Sequence, residues 1–305
     1  MSAEDALEVK ADKGCNYDKQ NKRRREGIIL KPQTKIMKKT PKRTIILAVI
    51  LVVILILAAV YAVFTDIIIL RKTEDMAGPE NAIAILFIGS SQVFVGDVPG
   101  QLQAIAKMYG VDIIYKDMSR HGNRGGTLSE LREDAISEMQ SGRFDYVVLQ
   151  DQTRKSFNDV EGLLDEIKTL SNAARESGAI PVLYNSAWAT TDGQPDEESL
   201  KFSTEVYKRA AEENDAILVN AADAWIHAYE TIPEISLYTR FDPRGPHANN
   251  AGAFMTACVF AATLFDLHIE DIPKDNRYGG SDAIALAQAA WEFVHPTANE
   301  EYSLS

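Results

Sequence analysis

Short runs of β-branched and aliphatic residues alternate along the chain with longer amphipathic stretches. Residues 82–88, 111–115, 146–149, 180–184 and 217–219 form the short runs, which predict strands. Residues 99–108, 128–140, 160–176, 197–213 and 251–265 have apolar positions at helical spacing. Strands that alternate with helices form a parallel sheet with helices on both faces. The pattern predicts an α/β fold, a three-layer α/β/α sandwich around a five-stranded parallel sheet.

One apolar stretch is too long for a strand of that sheet. Residues 45–64 are apolar, and no charge lies between Arg43 and Asp66. About twenty such residues span a bilayer as one helix. A cleaved signal peptide has a shorter apolar region, about 7–15 residues, and a small-residue cleavage site, which is not evident here. We therefore predict a cytoplasmic tail (1–43), a transmembrane helix (44–65), a linker (66–80) and one further domain (81–305).

The two sides of this apolar stretch differ in charge. Residues 1–43 carry 13 Lys and Arg against 6 Asp and Glu, a net charge of +7, in a chain whose total is −12. The remainder therefore carries −19. Basic residues stay on the cytoplasmic side of a membrane helix, so the pattern predicts a single-pass protein of the cell membrane with domain 81–305 outside the cell. An acidic domain argues against a nucleic-acid partner.

The basic tail is too polar to bury a core, and we predict that it is disordered. Its run at residues 22–25 either determines topology or also contacts anionic lipid or a cytoplasmic partner. The two cysteines, Cys15 and Cys258, fall on opposite sides of the predicted membrane helix, so no intrachain disulfide is expected. Neither metal-ligand spacing nor a phosphate-binding glycine loop is present, so no metal and no cofactor is predicted.

Candidate site residues follow the predicted strands, because ligands of parallel sheets lie beyond the carboxyl ends of the strands. Ser90 and Ser91 follow the first strand after Gly89, and one of them is either a nucleophile or a helix cap. Gly125-Gly126 precedes a helix, where backbone N–H groups bind an oxyanion or simply form a turn. Gln152 follows the third strand as a candidate hydrogen-bond donor or a solvent-facing loop residue.

A serine nucleophile needs a base, and five histidines are candidates. His247 lies in the Gly- and Pro-rich loop 241–247, before the predicted helix 251–265. Loops present side chains to clefts, which favours His247. The other candidates are less suitable, because they lie in a turn, in a helical pattern or at segment ends: His121, His227, His268 and His295.

The order and spacing of residues 85–91, 125–126, 146–153 and 237–252 resemble the SGNH/GDSL hydrolase superfamily over essentially all of domain 81–305. The resemblance implies a flavodoxin-like fold in which Ser91 is the nucleophile and His247 the base. It implies that the Ser91 and Gly126 N–H groups and the Gln152 side chain form the oxyanion hole. His247 and Gly252 match the block near the C-terminus.

The sequence departs from the superfamily pattern in three places. Arg244 stands three residues before His247, where an aspartate is expected, and the nearest carboxylate is Asp242. Ser90 replaces an aspartate, and Gln152 replaces an asparagine. Either Asp242 orients His247 from a longer loop, which completes a Ser-His-Asp triad, or a backbone carbonyl does so and the site is a Ser-His dyad.

The resemblance implies a serine esterase that hydrolyses short acyl esters. An outward-facing membrane protein of this kind is expected to deacylate, for example deacetylate, a surface polysaccharide. Trp188, after the fourth strand, is then a wall for sugar stacking or simply part of the core. Two alternatives use the same cleft: acyl transfer to a sugar hydroxyl, and a catalytically inactive glycan-binding module.

Overall fold

The computed structural model describes residues 47, 49–61, 78–79, 81–122, 124–188, 195–239, 247–272 and 282–296. Residues 49–61 are helical, and their large aliphatic side chains are exposed. Within the described ranges, no helix has both the length and the apolar character needed to cross a membrane. The predicted tail (1–43) and almost all of the predicted linker (66–80) lie outside those ranges. The predicted span (44–65) lies partly outside them as well.

The rest of the described chain forms an α/β domain. Its strands are β1 (Ile83–Ile88), β2 (Ile113–Met118), β3 (Arg120–His121), β4 (Arg124–Gly125), β5 (Tyr146–Leu149), β6 (Ile180–Asn185) and β7 (Ile217–Asn220). Its helices are α1 (Ser91–Phe94), α2 (Val98–Met108), α3 (Leu128–Met139), α4 (Lys155–Asn158), α5 (Val160–Glu176), α6 (Glu197–Glu213), α7 (Ala221–Thr231), α8 (Asn250–Phe265) and α9 (Ala283–Val294), with a 3₁₀ turn at Ile269–Asp271.

The main sheet has five parallel strands in the order β2-β1-β5-β6-β7. The chain runs from β1 outward to β2 and then returns to β5 on the other side of β1. This change of direction is a topological switch point, where α/β proteins bind their ligands. The prediction of an α/β fold with a five-stranded parallel sheet is confirmed.

Alternate residues of β1 enter different hydrophobic layers. Ile85 and Phe87 pack with α2, α7, α8 and α9 on one face, whereas Leu86 and Ile88 pack with α3, α5 and α6 on the other. Successive side chains of a strand point to opposite faces, so a strand that helices cover on both sides must be apolar at every position. The uninterrupted apolar run of β1 therefore reflects its central place in a three-layer sandwich.

Helix α8 is the most deeply enclosed helix of the domain. Its residues from Gly252 to Ala262 are all buried, and it packs against α2 on one side and α9 on the other. A helix that is apolar all round belongs in a core rather than on a surface. Cys258 is a free thiol within it, and burial raises the pKa of this thiol above its ordinary value.

The predicted helices lie within one residue of those observed, but other elements were not predicted. The antiparallel ribbon of β3 and β4 replaces what we expected to be a turn before α3. Helix α9 follows the last predicted helix and closes the layer over α8. A ribbon of two-residue strands is too short to show the alternation of apolar and polar residues that identifies longer strands.

Candidate active site

Ser91 lies at the switch point of the sheet, three residues after the end of β1. Gly89 makes the tight turn possible, because a Cβ at this position would lie 2.7 Å from Val93 Cγ2 and 2.9 Å from Gln150 Oε1. Ser90 precedes α1 but makes no side-chain capping bond, so it is not a helix cap. Ser91 begins α1 and is half-buried.

A buried polar network fixes the turn that carries Ser91. Gln150, which follows β5 and is fully buried, accepts hydrogen bonds at Oε1 from Ser90 N (2.7 Å) and Ser90 Oγ (2.9 Å). Its Nε2 donates to Ser186 Oγ at 3.2 Å, directly after β6. The network ties together the carboxyl ends of three neighbouring strands. It also satisfies a buried amide that would otherwise cost free energy.

The ribbon of β3 and β4 packs on the main chain of Ser91. A Cβ added to Gly125 would collide with the main-chain nitrogen of Ser91, so only glycine permits this approach. The Gly126 N–H donates to the Ser119 carbonyl at 3.0 Å. This bond makes Arg120 and Gly125 a non-hydrogen-bonded pair of the ribbon, which leaves the Gly125 N–H directed away from β3. The Gly126 N–H is thus used within the ribbon, whereas the Gly125 N–H makes no hydrogen bond to β3.

His247 is held by main-chain contacts with residues 237–239. Its carbonyl accepts hydrogen bonds from both the N–H and the Oγ1 of Thr239, each at 2.9 Å. Two residues later, Asn249 caps α8 by accepting from Gly252 N at 2.9 Å. Gly252 must be glycine, because a Cβ there would collide with the Leu237 carbonyl oxygen and lie 2.6 Å from the Trp225 ring. The main chain that carries the His247 imidazole is therefore held just before α8, the most deeply buried helix.

Ser91 and His247, 156 positions apart in sequence, meet at the carboxyl edge of the sheet. The distance between Ser91 Oγ and His247 Nε2 is 2.9 Å. His247 is only 6% exposed. With the imidazole neutral and its proton on Nδ1, the Ser91 hydroxyl donates to Nε2. This is the arrangement in which a base takes the proton of a nucleophile.

Gln152 and Asp151 follow β5 at the same edge. Gln152 is exposed, and its side-chain amide is not hydrogen bonded to any residue that the structure describes. Asp151 is 1% exposed, and its Oδ1 accepts from Gln152 N at 2.6 Å. Burial raises the pKa of Asp151, while the hydrogen bond from Gln152 N acts in the opposite direction. Asp151 thus fixes the main chain of Gln152, the candidate hydrogen-bond donor.

Comparison with known proteins supports the fold. No protein-family model and no curated protein matches the sequence. Among solved structures, a DUF4886 family protein from Bacteroides uniformis is 16% identical, with a TM-score of 0.57 over 71% of this chain and 96% of that one. The domain therefore shares the α/β fold of that protein.

Two other similar structures have lower TM-scores. A protein assigned to the SGNH hydrolases, from Slackia heliotrinireducens, is 21% identical, with a TM-score of 0.47 over 60% of this chain and 100% of that one. An acetyl xylan esterase, AlAXEase, is 15% identical, with a TM-score of 0.48 over the same shares of the two chains. Neither likeness establishes the chemistry of this chain, which depends on its own residues.

The sequence placed several residues in the candidate site, and the structure describes most of them. It brings Ser91, His247 and the Gly125-Gly126 pair to one edge of the sheet, with Gln152 at the end of β5. Asp242 and Arg244 lie outside the described residues. Gln150 and Ser186 were not singled out from the sequence, and Gly125 was named there only as a member of the pair in which Gly126 is the expected donor. The clearest signal for Gln150 was a polar residue directly after an apolar strand.

Trp188 lies three residues after β6 and is half-buried. It packs against Phe157, with 5.8 Å between ring centroids, and against the small cluster of Leu200, Ala222 and Ile226. Its indole N–H is buried and has no acceptor among the described residues. In the described ranges, no three His, Cys, Asp or Glu side chains are grouped so as to hold a metal ion.

Proposed function

We propose that this chain is a serine esterase that hydrolyses short acyl esters, with Ser91 as nucleophile and His247 as general base. The observation that supports it most directly is the 2.9 Å contact between Ser91 Oγ and His247 Nε2 at the switch point of the sheet. A helix cap or a buried structural histidine would not require this pairing of hydroxyl and imidazole. The pair is the minimum that acyl transfer through a serine needs.

In the proposed reaction, Ser91 Oγ bonds to the ester carbonyl carbon while its proton moves to His247 Nε2. The Gly125 N–H, the Ser91 N–H and the Gln152 amide stabilise the resulting oxyanion. His247 then gives the proton to the leaving alcohol oxygen as the carbon–oxygen bond breaks. Water attacks the acyl-Ser91 intermediate, passes a proton to His247 and releases the carboxylic acid with free Ser91.

The test compares two neighbouring serines in the full-length protein, purified in detergent. Ser91→Ala removes the nucleophile and is expected to lower kcat/KM for a short-chain aryl ester by about 10³-fold or more. Ser90→Ala removes one hydrogen bond to Gln150 and is expected to keep kcat/KM within about tenfold of wild type. Equal losses from both changes would contradict the assignment. No hydrolysis of any acyl ester by the wild type would favour the glycan-binding module.

We further propose that Asp242 is the acid that orients His247. A carboxylate that holds His247 in the productive tautomer contributes orders of magnitude to the rate, so Asp242→Asn is expected to lower kcat by about 10³–10⁴-fold while preserving the fold. A loss of less than about tenfold, which corresponds to roughly 1.4 kcal/mol, would instead indicate a Ser-His dyad. Circular dichroism of the variant separates this loss from unfolding.

The proposed substrate is an acylated polysaccharide at the cell surface. Trp188 supports this choice, because a half-buried indole three residues after β6 offers an aromatic ring to a sugar. A matched pair of acetylated and deacetylated oligosaccharides would test it by acetate release. Detection of an acylated sugar acceptor instead of free acetate would identify the enzyme as a transferase.

The proposed location is the cell membrane, with residues 45–64 as a single span and the catalytic domain outside. The apolar character of these residues and the basic flank before them support it. Protease added to intact cells should remove epitopes beyond residue 75 and spare epitopes before residue 40. The opposite pattern would refute the orientation.

A further inference from the structure

Arg120 lies beside the nucleophile. It is the register partner of Gly125 across the ribbon, and residues directly opposite each other share a face. Gly125 faces the main chain of Ser91. The guanidinium carbon of Arg120 lies 3.8 Å from the ring centroid of Phe94, three residues after Ser91. Arg120 is thus directed to the Ser91 side of the ribbon.

The guanidinium of Arg120 is exposed, and no carboxylate of a described residue lies within ion-pair distance of it. Most other lysines and arginines of the domain do have such partners. Arg124, on the same ribbon, pairs with Glu130, and Arg132 on α3 pairs with Glu166 at 3.2 Å. In a region with a net charge of −19, a cation without an acidic partner is unusual.

A second arginine of this kind lies at the carboxyl edge of the sheet. Arg154 follows Gln152 by two residues, and its guanidinium carbon lies 5.8 Å from the ring centroid of Trp188. It also is exposed and has no acidic partner among the described residues. Each of the two guanidinium groups therefore has an aromatic ring within about 6 Å and, among the described residues, no acidic partner.

We propose that the Ser91 site acts on acyl esters of anionic molecules, and that Arg120 binds a carboxylate or phosphate of the substrate next to the scissile ester. This inference rests on the proposed esterase function and specifies its substrate class. A planar guanidinium binds both oxyanions through paired hydrogen bonds. The negative charge of the domain does not prevent binding, because salt screens exposed charges beyond about 8 Å under physiological conditions.

The experiment compares two substrates that differ only in charge, an O-acetylated hexuronic acid and its hexuronamide. With the full-length protein in detergent, kcat/KM for acetate release should be about tenfold higher for the acid than for the amide, the ratio expected for one charge-assisted hydrogen bond. Arg120→Gln should bring the ratio of acid to amide close to one, and Arg120→Lys should give an intermediate ratio.

Arg209→Gln is the matched control, because it removes the same charge from an exposed arginine near the C-terminal end of α6, away from the carboxyl edge of the sheet. It should leave the ratio of acid to amide as in wild type. A wild-type ratio of about one, or equal changes in Arg120→Gln and Arg209→Gln, would overturn the proposal. Acetylated glycerol phosphate against acetylglycerol, used as a second pair, shows whether the bound anion is a carboxylate or a phosphate.

A binding measurement separates this proposal from the esterase function. Ser91→Ala cannot form the acyl-enzyme, so calorimetric titration with the uncleaved acid and amide reports binding alone. The acid should bind about tenfold more tightly, and the added change Arg120→Gln should remove the difference. If the wild type cleaves neither ester but Ser91→Ala prefers the acid, the esterase function fails and the anion site stands. Equal binding of acid and amide overturns the anion site, whatever the rate.

Discussion

Ser91 and His247 meet at one point, but they are held there by different kinds of contact. Ser91 lies on a turn that side chains fix: Gln150 holds Ser90, and Ser186 holds Gln150. His247 is fixed by main-chain hydrogen bonds to Thr239 and by the capped start of α8. The position of Ser91 thus depends on a polar network at the ends of three strands, whereas that of His247 depends on the packing of a buried helix.

This difference predicts which property a substitution affects first. Changes near Ser91 should alter catalysis before they alter stability, because the strands below it are buried independently of the ribbon. Changes near His247 should alter stability first, because α8 is part of the hydrophobic core. Two glycine substitutions test the two sides in the same way, because each adds a methyl group where the glycine lies close to the main chain of another residue.

Among the changes that compare the two sides, Gly125→Ala is expected to have the largest effect, which is a loss of kcat. The added methyl group collides with Ser91 N, so the ribbon must move away and withdraw its N–H from the oxyanion. The loss of one oxyanion donor lowers kcat by about 10²–10³-fold. Gly126→Ala is the control, because the atoms nearest to its methyl group belong to the side chain of Leu131 and not to the main chain of Ser91. A larger loss of kcat from Gly126→Ala would restore Gly126 as the donor.

The second-largest effect is expected from Gly252→Ala, which should lower the stability of the fold. Its methyl group would collide with the carbonyl oxygen of Leu237 and the Trp225 ring, and a main-chain oxygen cannot turn away as a side chain does. Overpacking of this kind costs about 1–3 kcal/mol, which corresponds to a fall in Tm of roughly 3–10 °C. Asn250→Ala, an exposed neighbour in α8, should change Tm little. An unchanged Tm with lost activity would break the comparison between the two sides.

The smallest effect is expected from Asp151→Asn on the Ser91 side. Because burial raises the pKa of Asp151, the folded protein keeps this proton at a pH where the unfolded chain, with an ordinary pKa of 3.8, has lost it. The carboxyl therefore destabilises the fold progressively as pH rises above that value. The Tm of the wild type should fall relative to that of Asp151→Asn between pH 4 and pH 7.

Much of the fold was predictable, because its strands are buried on both faces. The run at residues 146–149 matches β5, and the stretch at 160–176 matches α5. Such segments carry periodic apolar signals that do not depend on the rest of the chain. The ribbon of β3 and β4 carries no such signal, because its four residues are two arginines, a histidine and a glycine.

The site was predictable in part, for a related reason. Ser91 was identifiable from its position after an apolar strand, and His247 from its loop and its spacing to Gly252. The choice between Gly125 and Gly126 depends on which N–H the ribbon uses, and this register arises only when Ser119 and Gly126 pair. The role of Gln150 depends on two other strands, so it cannot be read from the residues around it.

Hydrogen bonds hold the residues on either side of segment 240–246 in place. Thr239 bonds to His247, and Asn249 N donates to the Leu237 carbonyl at 3.0 Å. Insertions between Thr239 and His247 should therefore leave the histidine in register, since doubling the length of a loop adds only about 0.6 kcal/mol of closure entropy. An exchange of the whole segment would also replace Asp242, the proposed orienting acid, so its effect on activity would separate the position of His247 from the contribution of that acid.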